Sequence, residues 1–433
     1  MFAFCLVTAL TVADLPANDH VGRAKEFLEL LKKGDFAKAA EPFDRTMLEK
    51  MPADKLKETW EMLNKQFGAL KEASGTRTET RGKYELVFIG TQFEKAKLEM
   101  RLAFDPDHKI AGLGFQPPKP AVEYKSPEYV KAGSFREIDV TLNEGGEWPL
   151  NGIVSMPVGQ GPFPGIVLVH GSGSHDRDEA IGPNKTFRDL AQGLASRGIA
   201  VLRYDKRNYV HGPKIDLAKF TVKEEVLDDA LAGAELLRHT PGVDPARVFI
   251  LGHSLGAMVA PKAAATDSKL AGIILLAGAA RPLEDVVIDQ LTYIASLPGP
   301  NGEGAKEMLP KMKEQLAKVG DPKSLAAMPD SEKPMGMSAK YWMSIHDLDP
   351  APTAGKLNCK ILLLQGDRDY QVTLDDFALF EKALHGKSNA TLKRFANLNH
   401  LFMDGTGKAT PADYEKVGHV APEVIETIAG WIK

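Results

Sequence analysis

Residues Gly252-His253-Ser254-Leu255-Gly256 decide how this chain is read. The apolar run Val248-Phe249-Ile250-Leu251 precedes them, and Ala257-Met258-Val259-Ala260 follows. That order spells strand, sharp turn, helix, which is the context a G-x-S-x-G pattern requires. Ser254 stands at the apex, where the backbone is strained and the hydroxyl is held clear of it. Side chains two residues before or after would clash at so tight a bend, which accounts for Gly252 and Gly256. The pattern marks Ser254 as a nucleophile rather than an ordinary turn serine.

Further continuous apolar runs lie at 166–169, 199–202, 273–276 and 361–364. They alternate with helical patterns at about 185–197, 222–239, 255–266, 373–384 and 420–432. Strands buried on both faces and alternating with helices predict an α/β fold built on a mostly parallel sheet. An antiparallel hairpin leads into it, 135–142 and 148–156 around Asn143-Glu144-Gly145-Gly146-Glu147. Residues 281–350 break the alternation and are rich in Met, Pro and Gly. Leu283, Val286, Val287 and Leu291 recur at helical spacing, as do Met308, Met312 and Leu316. They predict a helical insertion that packs on itself and forms a lid over a strand's carboxyl end. Tyr341, Trp342 and Ile345 are candidates to line an acyl pocket there.

At 433 residues, 43% hydrophobic and 26% charged, the chain can hold two domains and sizeable cores. Helical spacing over 20–33, ended by Gly34, and over 53–67, begun by Pro52, precedes strand patterns at 69–80, 84–91, 94–104 and 109–116. A small α+β domain is therefore expected over 18–117. It holds no Ser/His/Asp set, and His108 reads as a solvated turn residue. Gln116-Pro117-Pro118-Lys119-Pro120 announces a linker over 118–130, with the second domain at 131–433. The apolar stretch 2–13 resembles a secretory h-region cleaved after Ala13, although it lacks a basic n-region. A leader over 1–17 and a secreted or periplasmic location are the expectation. Two cysteines, Cys5 and Cys359, exclude a disulfide framework and a cysteine-built metal site. Cys359 is expected to lie buried beside the strand that follows it. A net charge of -4 gives no electrostatic case for nucleic acid or an anionic membrane, and no internal run reaches membrane-spanning length.

A serine hydroxyl needs a base within reach, and the base needs a group that orients it. His400 lies in a loop just after the strand pattern 391–395 and is the candidate base. Asp369 follows the 361–364 strand in a G-x-x-D-x-x-V spacing with Gly366 and Val372, and is the first choice of acid. Asp367 is the second, and more readily structural, paired with Arg368 or capping the loop. His170 reads as shaping its turn, His253 as supporting the elbow, His385 and His419 as solvated near helix ends, and His346 as part of the lid. The oxyanion of a tetrahedral intermediate needs donors. These are expected from the Leu255 N–H and from the Ser172 N–H in His170-Gly171-Ser172-Gly173-Ser174. That loop lacks the Gly-Lys-Ser/Thr ending of a phosphate cradle.

Taken together these motifs resemble the α/β-hydrolase superfamily, and within it bacterial carboxylesterases. The resemblance rests on His170-Gly171-Ser172-Gly173-Ser174-His175-Asp176-Arg177-Asp178-Glu179, on Tyr204-Asp205-Lys206-Arg207-Asn208 and on Pro261 in the elbow helix. Asn208 stands where that group has glycine. Phe43-Asp44-Arg45-Thr46-Met47 and Phe104-Asp105 resemble a small α+β domain of unknown function found before such hydrolases. The resemblance implies a serine esterase acting on a small-molecule ester, with no metal or organic cofactor. Ser254, His400 and Asp369 would form its triad, working through an acyl-enzyme. The N-terminal domain is expected to shield the lid or to mediate a homodimer. A peptidase, amidase or thioesterase on the same triad is the alternative, and a non-catalytic binding module on a hydrolase fold is the alternative of another class. A dehalogenase is excluded, because it would need aspartate at position 254.

Overall fold

Two units divide the chain, Met1–Ala121 and Val122–Lys433. The structure is a computed structural model that describes residues 19–81, 84–116, 124–329 and 332–433. The expected leader at 1–17, the proline stretch at 117–120 and part of the 118–130 linker lie outside these residues.

The first unit opens with α1 (His20–Lys33), whose N-terminal Gly22 N–H is capped by the Asp19 carboxylate and whose end is Gly34 at φ 76°. Two short helices follow, α2 (Phe36–Ala40) and α3 (Arg45–Lys50), begun by Asp35 and Asp44 side-chain caps. Five or six residues are too few to show a hydrophobic period, so neither helix is among those expected from the sequence. Then come α4 (Ala53–Phe67), β1 (Leu70–Arg81), β2 (Tyr84–Phe93), β3 (Lys97–Phe104) and β4 (Ile110–Gln116), an antiparallel sheet in the order β1-β2-β3-β4. Phe27, Leu31, Trp60, Val87, Met100 and Phe104 form its core. His108 is not a merely solvated residue. The β3–β4 turn folds back on the start of α1, where His108 Nδ1 lies 2.9 Å from His20 Nε2. Glu85 holds the other His20 nitrogen at 2.7 Å.

The second unit runs β5 (Phe135–Leu142), β6 (Leu150–Pro157), β7 (Phe163–Val169), β8 (Ala180–Ile181), β9 (Asn184–Lys185), α5 (Thr186–Ala195), β10 (Ala200–Tyr204), α6 (Arg207–His211), α7 (Asp228–Arg238), β11 (Val243–His253), α8 (Leu255–Thr266) and β12 (Gly272–Leu276). The helical insertion follows as α9 (Leu283–Ser296), α10 (Pro300–Leu316), α11 (Pro322–Ala327) and α12 (Ala339–His346). The chain closes with α13 (Pro350–Lys356), β13 (Lys360–Gly366), α14 (Leu374–Leu384), β14 (Ala390–Phe395) and α15 (Pro422–Ile432). Where one helix was expected over 222–239, a π-helical turn at Lys223–Leu227 leads into α7.

The main sheet has eight strands in the order β14-β13-β12-β11-β7-β10-β6-β5. β6 runs antiparallel to both its neighbours, and the pairings from β10 to β14 are parallel. Alternate residues of the apolar runs serve opposite faces: Val167, Val169 and Ile250 pack under α7, α8, α13 and α14, while Ile166, Leu168 and Phe249 pack under α5 and α15. Burial on both faces is why these runs are continuous rather than alternating. After β7 the chain steps to β10 on one side and then to β11 on the other, so β7 and β11 meet at a topological switch point.

Leu316, Val319, Leu325, Met328 and Trp342 form a core of the insertion's own. The Trp342 indole N–H donates to the Pro334 carbonyl, and Ile345 is fully buried in the main core. Both are therefore committed to packing, and the acyl-pocket expectation for them is set aside. Among the described residues no helix is long and apolar enough to cross a membrane.

Candidate active site

Register explains how the elbow meets the 170–174 loop. Gly252 of β11 pairs with Val169 of β7, so residues 253–254 and 170–171 leave the sheet side by side. Ser254 adopts φ 54° and ψ −114°, a strained backbone for a residue with a side chain. Its N–H donates to the Leu276 carbonyl at the end of β12 (2.9 Å), and its own carbonyl accepts from Met258 in α8 (3.0 Å). The two flanking glycines are sterically required. A Cβ on Gly252 would stand 2.2 Å from the Gly256 backbone, and one on Gly256 would stand 2.1 Å from the Val169 carbonyl oxygen. A Cβ on Gly171 would reach the Ser254 Cβ at 3.2 Å, which sets the loop directly against the serine.

His400 and Asp369 are brought together. His400 Nδ1 donates to Asp369 Oδ2 at 2.7 Å, and both residues are buried. That bond places the proton on Nδ1 and leaves Nε2 of the neutral ring as the acceptor, the state a general base needs. The other carboxylate oxygen accepts from the N–H groups of Gln371 (2.7 Å) and Val372 (3.1 Å), and Gln365 Nε2 adds a donor to Oδ2 (3.2 Å). The loop bearing His400 is wound round the Asn399 carboxamide, whose oxygen accepts from Leu401 and Met403. Its anchor on the elbow is His253: Nε2 donates to the His400 carbonyl (2.9 Å) and the two rings lie 4.8 Å apart.

The second-choice acid, Asp367, points elsewhere. It pairs with Arg394 on β14 through two contacts of 2.9 Å, not with Arg368. Arg368 instead donates to the carbonyls of Asn397, Thr406 and Gly407 and binds the base loop. His170 is buried and donates to the Asp176 carbonyl, and burial pushes its imidazole down to about 3. His419 is not solvated as expected: it is half-buried and pairs with Asp189 at 3.2 Å, beside the Tyr124 hydroxyl on the same carboxylate. His385 is exposed, and His346 pairs with Glu284. Cys359 is half-buried, less than expected, and burial raises its thiol.

Three residues with no role in the sequence reading surround the 171–173 loop. Glu179 is buried, accepts from the Gly171 N–H (2.8 Å), and sits 2.9 Å from His253 Nδ1 as an ion pair off the line of a good hydrogen bond. Lys206 donates to the carbonyls of Gly171 and Gly173, and Glu225 neutralises it. Asn208 adds a further donor to Gly173 (3.2 Å). Glu179 and Lys206 belong to motifs quoted from the sequence, but only their burial signals a role. The Ser172 N–H has no acceptor among the described residues, and Leu255 opens α8, ahead of any intrahelical acceptor.

Comparison with known proteins matches residues 24–113 to a family described only as a protein of unknown function (DUF3887), and residues 166–413 to the alpha/beta hydrolase family. Esterase EstD of Thermotoga maritima is 39% identical over 407 residues, covering 94% of this chain and 93% of the relative. Esterase FrsA of Klebsiella pneumoniae is 32% identical over 133 residues, 30% of this chain and 28% of the relative. Among solved structures, Est1E from Butyrivibrio proteoclasticus is 18% identical, covers 68% of this chain and 98% of that one, and superposes with a TM-score of 0.44.

Proposed function

This chain belongs to the α/β-hydrolase family and is a carboxylic ester hydrolase, and we propose that it cleaves a small-molecule ester through a Ser254 acyl-enzyme. One observation carries the reading: the His400–Asp369 hydrogen bond of 2.7 Å sits on a loop whose His400 carbonyl accepts from His253, the neighbour of Ser254 in the strained elbow. In the proposed reaction Ser254 Oγ attacks the ester carbonyl carbon while its proton passes to His400 Nε2. The carbonyl oxygen becomes an oxyanion and is bound by the N–H groups of Ser172 and Leu255. Collapse breaks the ester C–O bond, and His400 gives the proton to the departing alcohol. Water then attacks the acyl carbon as His400 takes its proton. The carboxylic acid leaves and Ser254 regains its hydrogen. Asp369, held by two backbone N–H groups, keeps the imidazole in one tautomer and offsets its transient positive charge.

An alkyl fluorophosphonate tests this. The expected result is stoichiometric loss of esterase activity with the label on the peptide containing Ser254. Inactivation with the label elsewhere, or full activity after labelling, contradicts the assignment.

A further inference from the structure

A trans peptide plane carries its carbonyl and its N–H pointing in opposite directions. The plane between Gly171 and Ser172 therefore joins two facts about the oxyanion loop. Its carbonyl, on Gly171, accepts from Lys206 Nζ at 2.7 Å. Its N–H, on Ser172, finds no acceptor among the described residues. The same ammonium reaches the Gly173 carbonyl at 2.9 Å and Glu225 Oε1 at 2.5 Å, which spends all three of its protons. Lys206 and Glu225 are 2% and 4% exposed. The second Glu225 oxygen accepts from the Tyr341 hydroxyl at 2.5 Å, so the lid helix α12 holds the far end of the chain of contacts.

We propose that Lys206 is a positioning residue for ester hydrolysis, acting on the oxyanion through the Gly171–Ser172 peptide, with Glu225 and the lid residue Tyr341 fixing the lysine. Holding the carbonyl on the ammonium turns the Ser172 N–H the opposite way. Drawing electron density toward the carbonyl oxygen also makes that N–H a stronger donor, as hydrogen bonds in a chain polarise one another. A buried ion pair adds little stability that well-packed apolar groups could not supply. Its presence beneath this loop is thus better explained by what it does to the loop's dipoles. The inference rests on the reading that the Ser172 N–H binds the oxyanion.

The test uses the full chain with Lys206→Met/Glu225→Met, which removes both charges together, and separately with Tyr341→Phe. Hydrolysis of p-nitrophenyl acetate is measured alongside inhibition by a trifluoromethyl ketone, whose serine adduct carries the same oxyanion. The double variant is expected to lose about ten- to a hundredfold in kcat, less than deletion of a whole donor, with KM within about threefold. Inhibitor affinity should fall by the same factor as kcat/KM. Tyr341→Phe is expected to lower kcat about two- to fivefold at unchanged KM, the effect of one hydrogen bond, and decides alone if the double variant does not fold. A folded double variant with wild-type kcat, or a loss confined to KM, overturns the proposal. If Ser254→Ala stays active, the triad reading has failed. If it is inactive while the Lys206 and Tyr341 variants keep full kcat and inhibitor affinity, only the present inference has.

Discussion

Two buried carboxylate–imidazole pairs lie at the elbow, Asp369 with His400 and Glu179 with His253. The two are joined through the bond from His253 Nε2 to the His400 carbonyl. Burial opposes ionisation of Glu179, but His253, and less directly His175 and His170, outweigh it and hold the carboxyl down to about 2 from an ordinary 4.5. For His253, burial is likewise outweighed, mainly by Glu179, and its imidazole is raised above 6.5. The signs follow from linkage. A depressed carboxyl contributes stability that is complete above 4.5 and lost as pH falls toward 2, while a raised imidazole contributes stability that is complete below 6.5 and lost as pH rises through its folded value. The pair therefore stabilises most in the window between 4.5 and 6.5. Urea unfolding of wild type and Glu179→Gln should give a larger stability difference at about pH 5.5 than at about pH 3. An equal difference at the two values would remove Glu179 as an ionised partner of His253.

At the scale of elements, the strand–elbow–helix unit is the part most fully written in the sequence. Val248-Phe249-Ile250-Leu251 gives the strand, and the glycines give the approach of α8 to the end of β7. Gly256 is the tighter test, because a Cβ there would meet the Val169 carbonyl, a backbone atom with no rotamer to escape into. Gly256→Ala should cost about 3 kcal/mol, at the upper end of overpacking, and lower activity by shifting the elbow. Thermal unfolding together with steady-state kinetics reads both effects, and a variant of wild-type stability would contradict the packing described. Of the helices in the 281–350 insertion, α9 and α10 were legible from their spacing, but α11, α12 and the core they share were not. Apolar spacing gives an element's buried face and leaves its partner open, so Trp342 and Ile345 looked equally suited to a ligand or to a core. The π-helical turn at Lys223–Leu227 carries Glu225, and no local pattern distinguishes it from the start of an ordinary helix.

For the whole molecule, sheet order does most to build the site. Placing β7 between β10 and β11 sets the 170–174 loop beside the elbow, while β13 and β14 deliver Asp369 and His400 from the other side. Ser254 and Asp369 were singled out in the sequence by a local spacing at a strand end, and His400 by its place in the loop just after a strand, and the structure brings His400 and Asp369 together. The contacts that support them were not, since Lys206 meets Glu225 across 19 residues, Glu225 meets Tyr341 across 116, and His253 meets His400 across 147. The two units keep separate cores, and the proposed catalytic residues all lie in Val122–Lys433. The likeness to EstD nevertheless runs through 94% of the chain, so the small first unit accompanies the hydrolase in that relative too. The central claim is that ester hydrolysis by this chain passes through Ser254. The direct measurement is turnover of p-nitrophenyl butyrate by full-length wild type and Ser254→Ala at equal concentration, with folding matched by circular dichroism. The expected result is a loss of at least about a thousandfold in the variant. A folded variant that keeps turnover within about tenfold of wild type would contradict the serine mechanism, since losing the nucleophile cannot cost so little.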